Sequence, residues 1–322
     1  MSTERDRPTG ATALSRSQHL WSSSRIATLL ATAVFLAVSL FLAAQLTIYV
    51  DESFSMETSS YGVGEAFRRA AAIEEQPPLY FVLLTVWRGI HGSLFFARLL
   101  SVLFVGGAGY FLVRTLSDHR AAASPPLLVL ALSLNPFVLY AATEVRVYAL
   151  AMLLSAAMLW AFSRRHLLGD RRPAIRITYV VAAILVVYTH YFAWALVGLL
   201  WIYAMIFREP GRRVEASVDL ALVVAAFVPQ AFVLIGQLSA PAVGGVERSV
   251  GFVETGIEVA RFFTDFALPS VTGAPSWPKW VAAVPLAGAL GVAIVRIWRS
   301  RTLQVEPSRV TAFVVVLGAA GL

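Results

Sequence analysis

Residues 25–52 read RIATLLATAVFLAVSLFLAAQLTIYVDE. Between Arg25 and Val50 only Ser39, Gln45 and scattered threonines interrupt the apolar run, which at about 1.5 Å per residue is long enough to cross roughly 30 Å of hydrocarbon. The stretch predicts a membrane-spanning helix with a pair of carboxylates, Asp51 and Glu52, at its rim. Ahead of it, residues 1–24 are polar and carry Arg5, Arg7 and Arg16. The apolar run is too long for a signal-peptide core, and no small-residue cleavage site stands out. The expectation is a disordered cytosolic tail over 1–24 and an uncleaved first helix. Residues 25–322 then form one membrane domain with no separate soluble part.

The rest of the chain repeats this pattern. It is 58% hydrophobic and 14% charged, with a mean hydropathy of +0.72, far from the balance of a soluble domain. The net charge of +7 sits on arginines in short clusters between apolar runs, as orienting loop charges do, so the composition argues against nucleic acid as a partner. Lys279 is the only lysine, a bias expected of a GC-rich bacterial genome. Without cysteine there is no disulfide, thiolate nucleophile or Cys-ligated metal, and proton or nucleophilic chemistry falls to Asp, Glu, His, Tyr or hydroxyls.

Nine spans are expected, at about 27–50, 95–113, 124–142, 147–163, 176–189, 192–207, 218–238, 278–298 and 309 to the end. The ninth has no polar anchor after it, so the C-terminus is expected to be clipped. Leu79 to Ile90 is the ambiguous apolar piece, because about 12 helical residues cover only about 18 Å. If it does not cross, the N-terminal Arg5, Arg7, Arg16 and Arg25 share one side with Arg114 and Arg120. The run Arg164, Arg165, Arg171, Arg172 and Arg176 joins them, as do Arg208, Arg212, Arg213, Arg296, Arg299, Arg301 and Arg309. That is the cytosolic excess the positive-inside rule requires. Leu79 to Ile90 is therefore expected to lie along the outer surface as a juxtamembrane helix opened by Pro77 and Pro78. The opposite, extracytoplasmic face then gathers Asp51, Glu52, Glu57, Glu65, Glu74, Glu75 and Glu144, together with Glu247, Glu254, Glu258 and Asp265 of a long last loop.

Four motifs on that face carry candidate chemistry, each with two readings. Asp51-Glu52 is either a pair of boundary charges or a half-shielded general base. Glu74-Glu75-Gln76-Pro77-Pro78-Leu79-Tyr80 is either a plain loop and helix start or a segment folded back over that base. In Thr143-Glu144-Val145-Arg146, the Glu and Arg either tie a turn to itself, or Arg146 serves as a phosphate ligand. His190 and Tyr191, in Tyr188-Thr189-His190-Tyr191-Phe192, are either interfacial aromatics or sugar contacts.

Taken in order, these motifs, with Arg98 in Phe96-Ala97-Arg98-Leu99-Leu100-Ser101 and Asn135-Pro136-Phe137, resemble glycosyltransferase family 39. That group includes protein O-mannosyltransferase-like and aminoarabinose-transferase-like membrane enzymes of the GT-C type. The resemblance covers about the first 200 residues. It departs from the family at Gln76, where His or Lys is common, and at Thr143-Glu144-Val145-Arg146, where Gln-Glu-Ala-Arg is common. It implies an all-α, polytopic GT-C helical bundle in the plasma membrane, with a cytosolic N-terminus and an extracytoplasmic active site. The implied reaction moves one sugar, with inversion, from a polyprenyl phosphate to a hydroxyl of a lipid, glycan or protein acceptor. On this reading Asp51 is the catalytic base and Glu52 and Glu75 share the acidic site. Arg146 and Arg98 bind the donor phosphate, and Tyr80, Glu144, His190 and Tyr191 contact substrate. Prenyl phosphate is already a good leaving group, so no cofactor is required, although a divalent cation would help neutralise it. The rival is a transporter or lipid-linked-sugar flippase, which would place polar groups and broken helices near the midplane.

Overall fold

The computed structural model describes residues 10–119 and 125–239, and among these the chain is all helix, with no strand. Eleven α-helices follow in order: α1 Gly10–Gln45, α2 Val50–Thr58, α3 Val63–Ala72, α4 Leu79–Arg88, α5 Leu94–Asp118 and α6 Pro125–Leu134. Then come α7 Pro136–Thr143, α8 Tyr148–Phe162, α9 Pro173–Val187, α10 Ala193–Phe207 and α11 Pro210–Ser239. Residues 10–24, expected as a disordered tail, continue α1 backwards from the apolar run. The chain divides into units at 1–237 and 238–322, and the expected spans at 278–298 and 309 to the end lie outside the described residues, as do the last-loop acids.

Three described helices are long and apolar enough to cross a membrane: Ile26–Gln45, Leu94–Asp118 and Pro210–Gln237. A fourth span results if α6 and α7, bent by 72° at Asn135, count as one. The bend is local chemistry: Asn135 Oδ1 accepts from the N–H groups of Phe137 and Val138, and Pro136 supplies a first helical residue that needs no partner for its nitrogen. Among the other expected spans, α8 runs on into a π-helical stretch over Ser163–Leu167, while α9 and α10 are 15 residues each. The latter two rise only about 22 Å, short of the roughly 30 Å of hydrocarbon.

The centre of the described bundle is α8, which packs against α5 on one side and α9 on the other. It is apolar all round, as a buried helix must be, and its small residues Ala149, Ser155, Ala156, Ala157 and Ala161 are all buried. Gly107 on α5 permits the close approach, since a Cβ there would meet Leu153 Cδ1 of α8 at 2.8 Å.

Where the first apolar run ends is also explained locally. Thr47, Ile48, Tyr49 and Val50 are β-branched or aromatic and propagate a helix poorly, so α1 stops at Gln45 instead of reaching Val50. Tyr49 turns extended at φ −89° and ψ 156°, and α2 starts with Asp51 and Glu52 in its first turn, the end that favours anions. The end of α1 and the start of α5 meet at Arg98, whose guanidinium donates to the carbonyls of Ala43, Leu46 and Thr47. Residues 46–93 therefore leave and return at the same end of the bundle, and α4 does not cross it.

That short helix is buried on one face and leaves Leu83 and Val86 exposed on the other. Tyr80, Phe81 and Leu84 are fully buried, and the Leu79 N–H donates to the carbonyl of Tyr188 at 3.2 Å, docking α4 on the turn before α10. Apolar surface of this loop lies on α2 and α3 as well as on Leu83, Val86 and Ile90 of the α4 segment. In α2 the buried side chains are Glu52, Ser55 and Thr58, whereas Val50 and Phe54 are exposed. In α3 the buried ones are Ala66 and Ala70, and Val63 and Phe67 face out. The polar side of α2 is turned into the protein, the reverse of a helix on a water-soluble domain.

The far end of the bundle is the arginine-rich one. Asp118 accepts from Trp160 and Arg164, and Asp170 pairs with Arg164 and Arg172. Glu215 pairs with Arg165, Arg171 and Arg212, while Asp219 pairs with Arg165 and Arg176. Many of the cations that orient the chain by sequence are thus cross-links between helix ends.

Candidate functional site

The two acids at the end of α1 take opposite environments. Glu52 is completely buried and clamped by Arg98, with Nε donating to Oε1 at 2.9 Å and Nη2 to Oε2 at 2.6 Å. It also accepts the Val145 N–H on Oε1 and the Tyr49 N–H on Oε2, each at 3.0 Å. Burial alone pushes the Glu52 carboxyl up, but the bonds from Arg98, Tyr49 and Val145 outweigh it and hold the pKa below the ordinary carboxylate range. Such a group is a poor proton acceptor. Arg98, 2% exposed, has every guanidinium nitrogen committed to Glu52 or to the end of α1, leaving none for a ligand phosphate. The pair fixes three segments to one another: the end of α1, the start of α5 and the α7–α8 junction.

Asp51, one residue earlier, has a side chain 48% exposed, with Oδ2 3.8 Å from Arg146 Nη2. Arg146 Nη1 donates to Glu74 Oε2 at 3.1 Å, and more weakly to the Asp51 carbonyl and Ser55 Oγ. Its Nε is buried without a partner. Glu74 also accepts from Thr58 Oγ1 at 3.0 Å. Burial is the largest influence on Glu74 and pushes its carboxyl up, against the opposing bonds from Thr58 and Arg146.

The expected partner in this position was Glu75. It is exposed and sits at φ +51°, a left-handed backbone conformation uncommon outside glycine, at the turn after α3. Glu74 is the residue that faces Arg146. Nothing in an acid doublet reveals which member turns inward, because the choice depends on where α3 ends.

Glu144 lies at the junction after α7, 7% exposed, with its carbonyl accepting from Ser101 Oγ at 2.6 Å. Its Oε2 has no hydrogen-bond partner. Burial raises its pKa, and the nearby Glu52 and Asp51 raise it further, against hydrogen bonding by Tyr140 and the charge of Arg146. Tyr80 is fully buried in the field of Arg146, Glu52 and Glu74, its phenol pushed up by burial. It contributes to the wall and presents no surface to a ligand.

His190 is half-buried, and burial followed by the charge of Arg146 pushes its pKa down, so it is neutral at pH 7. Its Nδ1 accepts from the Phe192 N–H at 3.3 Å, which puts the ring proton on Nε2. Tyr191 is tied away from this cluster. Its hydroxyl donates to Gln237 Oε1 and accepts from Gln230 Nε2, both at 2.9 Å, and Gln237 Nε2 reaches the carbonyl of Ala71. Tyr191 thus joins the α9–α10 turn to α11, and Gln237 carries the link on to α3. Tyr191→Phe is expected to cost about 1 kcal/mol in thermal unfolding and to leave the ligand chemistry of the Asp51 end unchanged. A larger effect on ligand affinity than on melting would restore it as a contact.

Together, Asp51, Glu74, Glu144, Arg146 and His190 form one polar cluster at one end of the bundle, braced by Glu52, Arg98 and Tyr80. Two guanidiniums serve four carboxylates, so the raised pKa values of Glu74 and Glu144 follow from crowding as well as burial. Among the described residues no group of three or more His, Asp and Glu side chains is arranged to hold a metal ion. No protein-family model, curated protein or solved structure matches the chain.

Proposed function

We propose that the chain is a membrane glycosyltransferase of the GT-C type, which moves one sugar from a polyprenyl phosphate to an acceptor hydroxyl on the extracytoplasmic side of the plasma membrane. The observation that carries this reading is the pairing of a half-exposed carboxylate, Asp51, with a partly unsatisfied arginine, Arg146, at the end of helices long enough to cross a bilayer. A phosphate carried on a lipid tail is presented at that height, and a base beside it can reach an acceptor that arrives from water.

In the reaction the acceptor O–H gives its proton to Asp51, and its oxygen forms a bond to the anomeric carbon from the side opposite the leaving group. The bond from that carbon to the phosphate oxygen breaks with its electron pair, and polyprenyl phosphate departs with the sugar inverted. Arg146 meets the charge that grows on the phosphate. Glu74 holds Arg146 in place, and His190 offers its Nε2–H to sugar or phosphate. Glu52 and Arg98 act as positioning residues in this scheme, in place of the acidic-site and phosphate-binding roles that the resemblance implies.

The test uses membranes containing the full chain and a panel of radiolabelled polyprenyl-phosphate sugars. Release of free polyprenyl phosphate, with the label passed to lipid, glycan, protein or water, is the expected result. Movement of intact donor across sealed vesicles with no bond cleaved would replace this reading with that of a flippase.

A further inference from the structure

Residues 46–93 carry apolar side chains outside and polar bonds within. Val50 and Phe54 are exposed one turn apart on α2, as are Val63 and Phe67 on α3, and Val86 and Ile90 continue the pattern along α4 and its end. The inner faces of α2 and α3 are instead polar or small. Hydrogen bonds and an ion pair hold these helices to one another. Arg88, at the end of α4, donates to the Met56 carbonyl and to Ser59 Oγ, both at 2.5 Å. Thr58 donates to Glu74 at 3.0 Å, and Arg69 pairs with Glu57 at 2.6 Å. A domain surrounded by water has its apolar stripes turned inward, and contiguous apolar surface left outside marks an interaction surface.

The link from α1 indicates what covers this face. Residues 44–50 are exposed throughout and carry the apolar surface of the first long helix, Ile26–Gln45, straight on to Val50 of α2. Although Leu46 to Tyr49 lie outside any helix, their backbone is bonded toward the protein. The Leu46 and Thr47 carbonyls accept from Arg98, and the Tyr49 N–H donates to Glu52. Backbone satisfied from within, with Leu46 and Ile48 facing out, is what contact with lipid demands. Tyr49 and Tyr61 are exposed on the same loop, and tyrosine gathers where a membrane meets water. Arg68, 77% exposed beside Phe67 on α3, has the reach to bring its charge to headgroup phosphates. We infer that α2 and α3, with the outer edge of α4, lie in the interfacial layer of the leaflet next to Asp51, and that phospholipid covers their exposed face. A second copy of the chain would cover one patch, whereas this surface joins that of α1 without a break. Since Val50 and Asp51 share the first turn of α2, the seat also holds Asp51 at headgroup height. The inference concerns placement and stands apart from the transferase reading.

The chain has no cysteine, so single cysteines in the full chain can each be labelled with the fluorophore NBD. Phe54→Cys, Phe67→Cys and Val86→Cys sample the three helices, and Leu30→Cys on the exposed side of α1 gives the lipid-facing standard. All four are reconstituted in phosphatidylcholine–phosphatidylglycerol vesicles at low and high protein density. An interfacial helix sits about 5–10 Å into the headgroup–acyl boundary, so lipids with a nitroxide near the headgroup should cut the emission of the three loop labels about twofold or more. Iodide in the buffer should quench them at least about threefold less than it quenches free NBD-cysteine, at both densities. Iodide quenching equal to that of the free dye, with no effect of nitroxide lipid, would place the face in water and overturn the inference. Protection from iodide only at high density, with energy transfer between copies, would assign the face to a second chain and overturn it too. The three sites are exposed in the parent and report separately, so a variant that folds poorly leaves the other two to decide. Because the readout needs no sugar transfer, a chain without transferase activity would leave this result as it stands.

Discussion

Arg98→Met is expected to lower stability by about 3–5 kcal/mol, because it leaves Glu52 as a fully buried carboxylate without its cation. The same change strips the carbonyls of Ala43, Leu46 and Thr47 of their donors. Thermal unfolding in detergent, followed by tryptophan fluorescence, is the measurement, with yield in membranes as a second reading should the variant fail to accumulate. The double variant Glu52→Gln with Arg98→Met should recover part of the loss, since the uncompensated charge is gone. An Arg98→Met midpoint equal to the parent's would show that the clamp contributes nothing net. The clamp also sets an acid limit. Glu52 has a folded pKa below its unfolded value, so its stabilisation is present above that unfolded value, near 4.3, and is lost as the pH falls through the folded one. Parent protein is therefore expected to lose stability below about pH 4 through this group, and Glu52→Gln to lose that part of the dependence.

Asp51→Asn is expected to reduce sugar transfer by about 10²- to 10⁴-fold while moving the melting midpoint little. The separation follows from its surroundings. Asp51 keeps about half of its side-chain surface, and its contact with Arg146 is a long 3.8 Å, so little packing is lost when the charge is removed. Equal turnover in parent and variant would exclude Asp51 as the base and pass the role to Glu74 or Glu144, the cluster's two carboxyls with raised pKa values. Loss of turnover with an equal loss of melting stability would instead mark Asp51 as a structural acid.

How much of this was legible in the sequence depended on whether the signal was local. The apolar runs and the start of α4 after Pro77-Pro78 are written in neighbouring residues, and the structure has both, whereas the single span expected at 124–142 is bent at Asn135-Pro136. The gathering of Asp51, Glu144, Arg146 and His190 at one end followed from charge bookkeeping along the chain. The roles of Glu52 and Arg98 were not legible, because a clamp 46 residues apart in sequence has no period or motif of its own. The same holds for the hydroxyl of Tyr191, whose partners Gln230 and Gln237 lie well downstream on α11. The described residues hold three or four helices long and apolar enough to cross, fewer than the apolar runs over the same residues, for a different reason. Apolar runs mark burial as well as membrane contact, and α8 is apolar because it is enclosed by α5 and α9.

The Arg98 contacts also impose an order on biosynthesis. The carbonyls at the end of α1 are completed by an arginine 51 to 55 residues downstream, which leaves the ribosome long after α1 has entered the membrane. Until α5 follows, those carbonyls have only water or headgroups to bond, and Glu52 stands ionised without its partner. The rim of the first helix is therefore finished from behind. A chain arrested before residue 98 therefore leaves the end of its first helix, and the buried position of Glu52, without the groups that complete them.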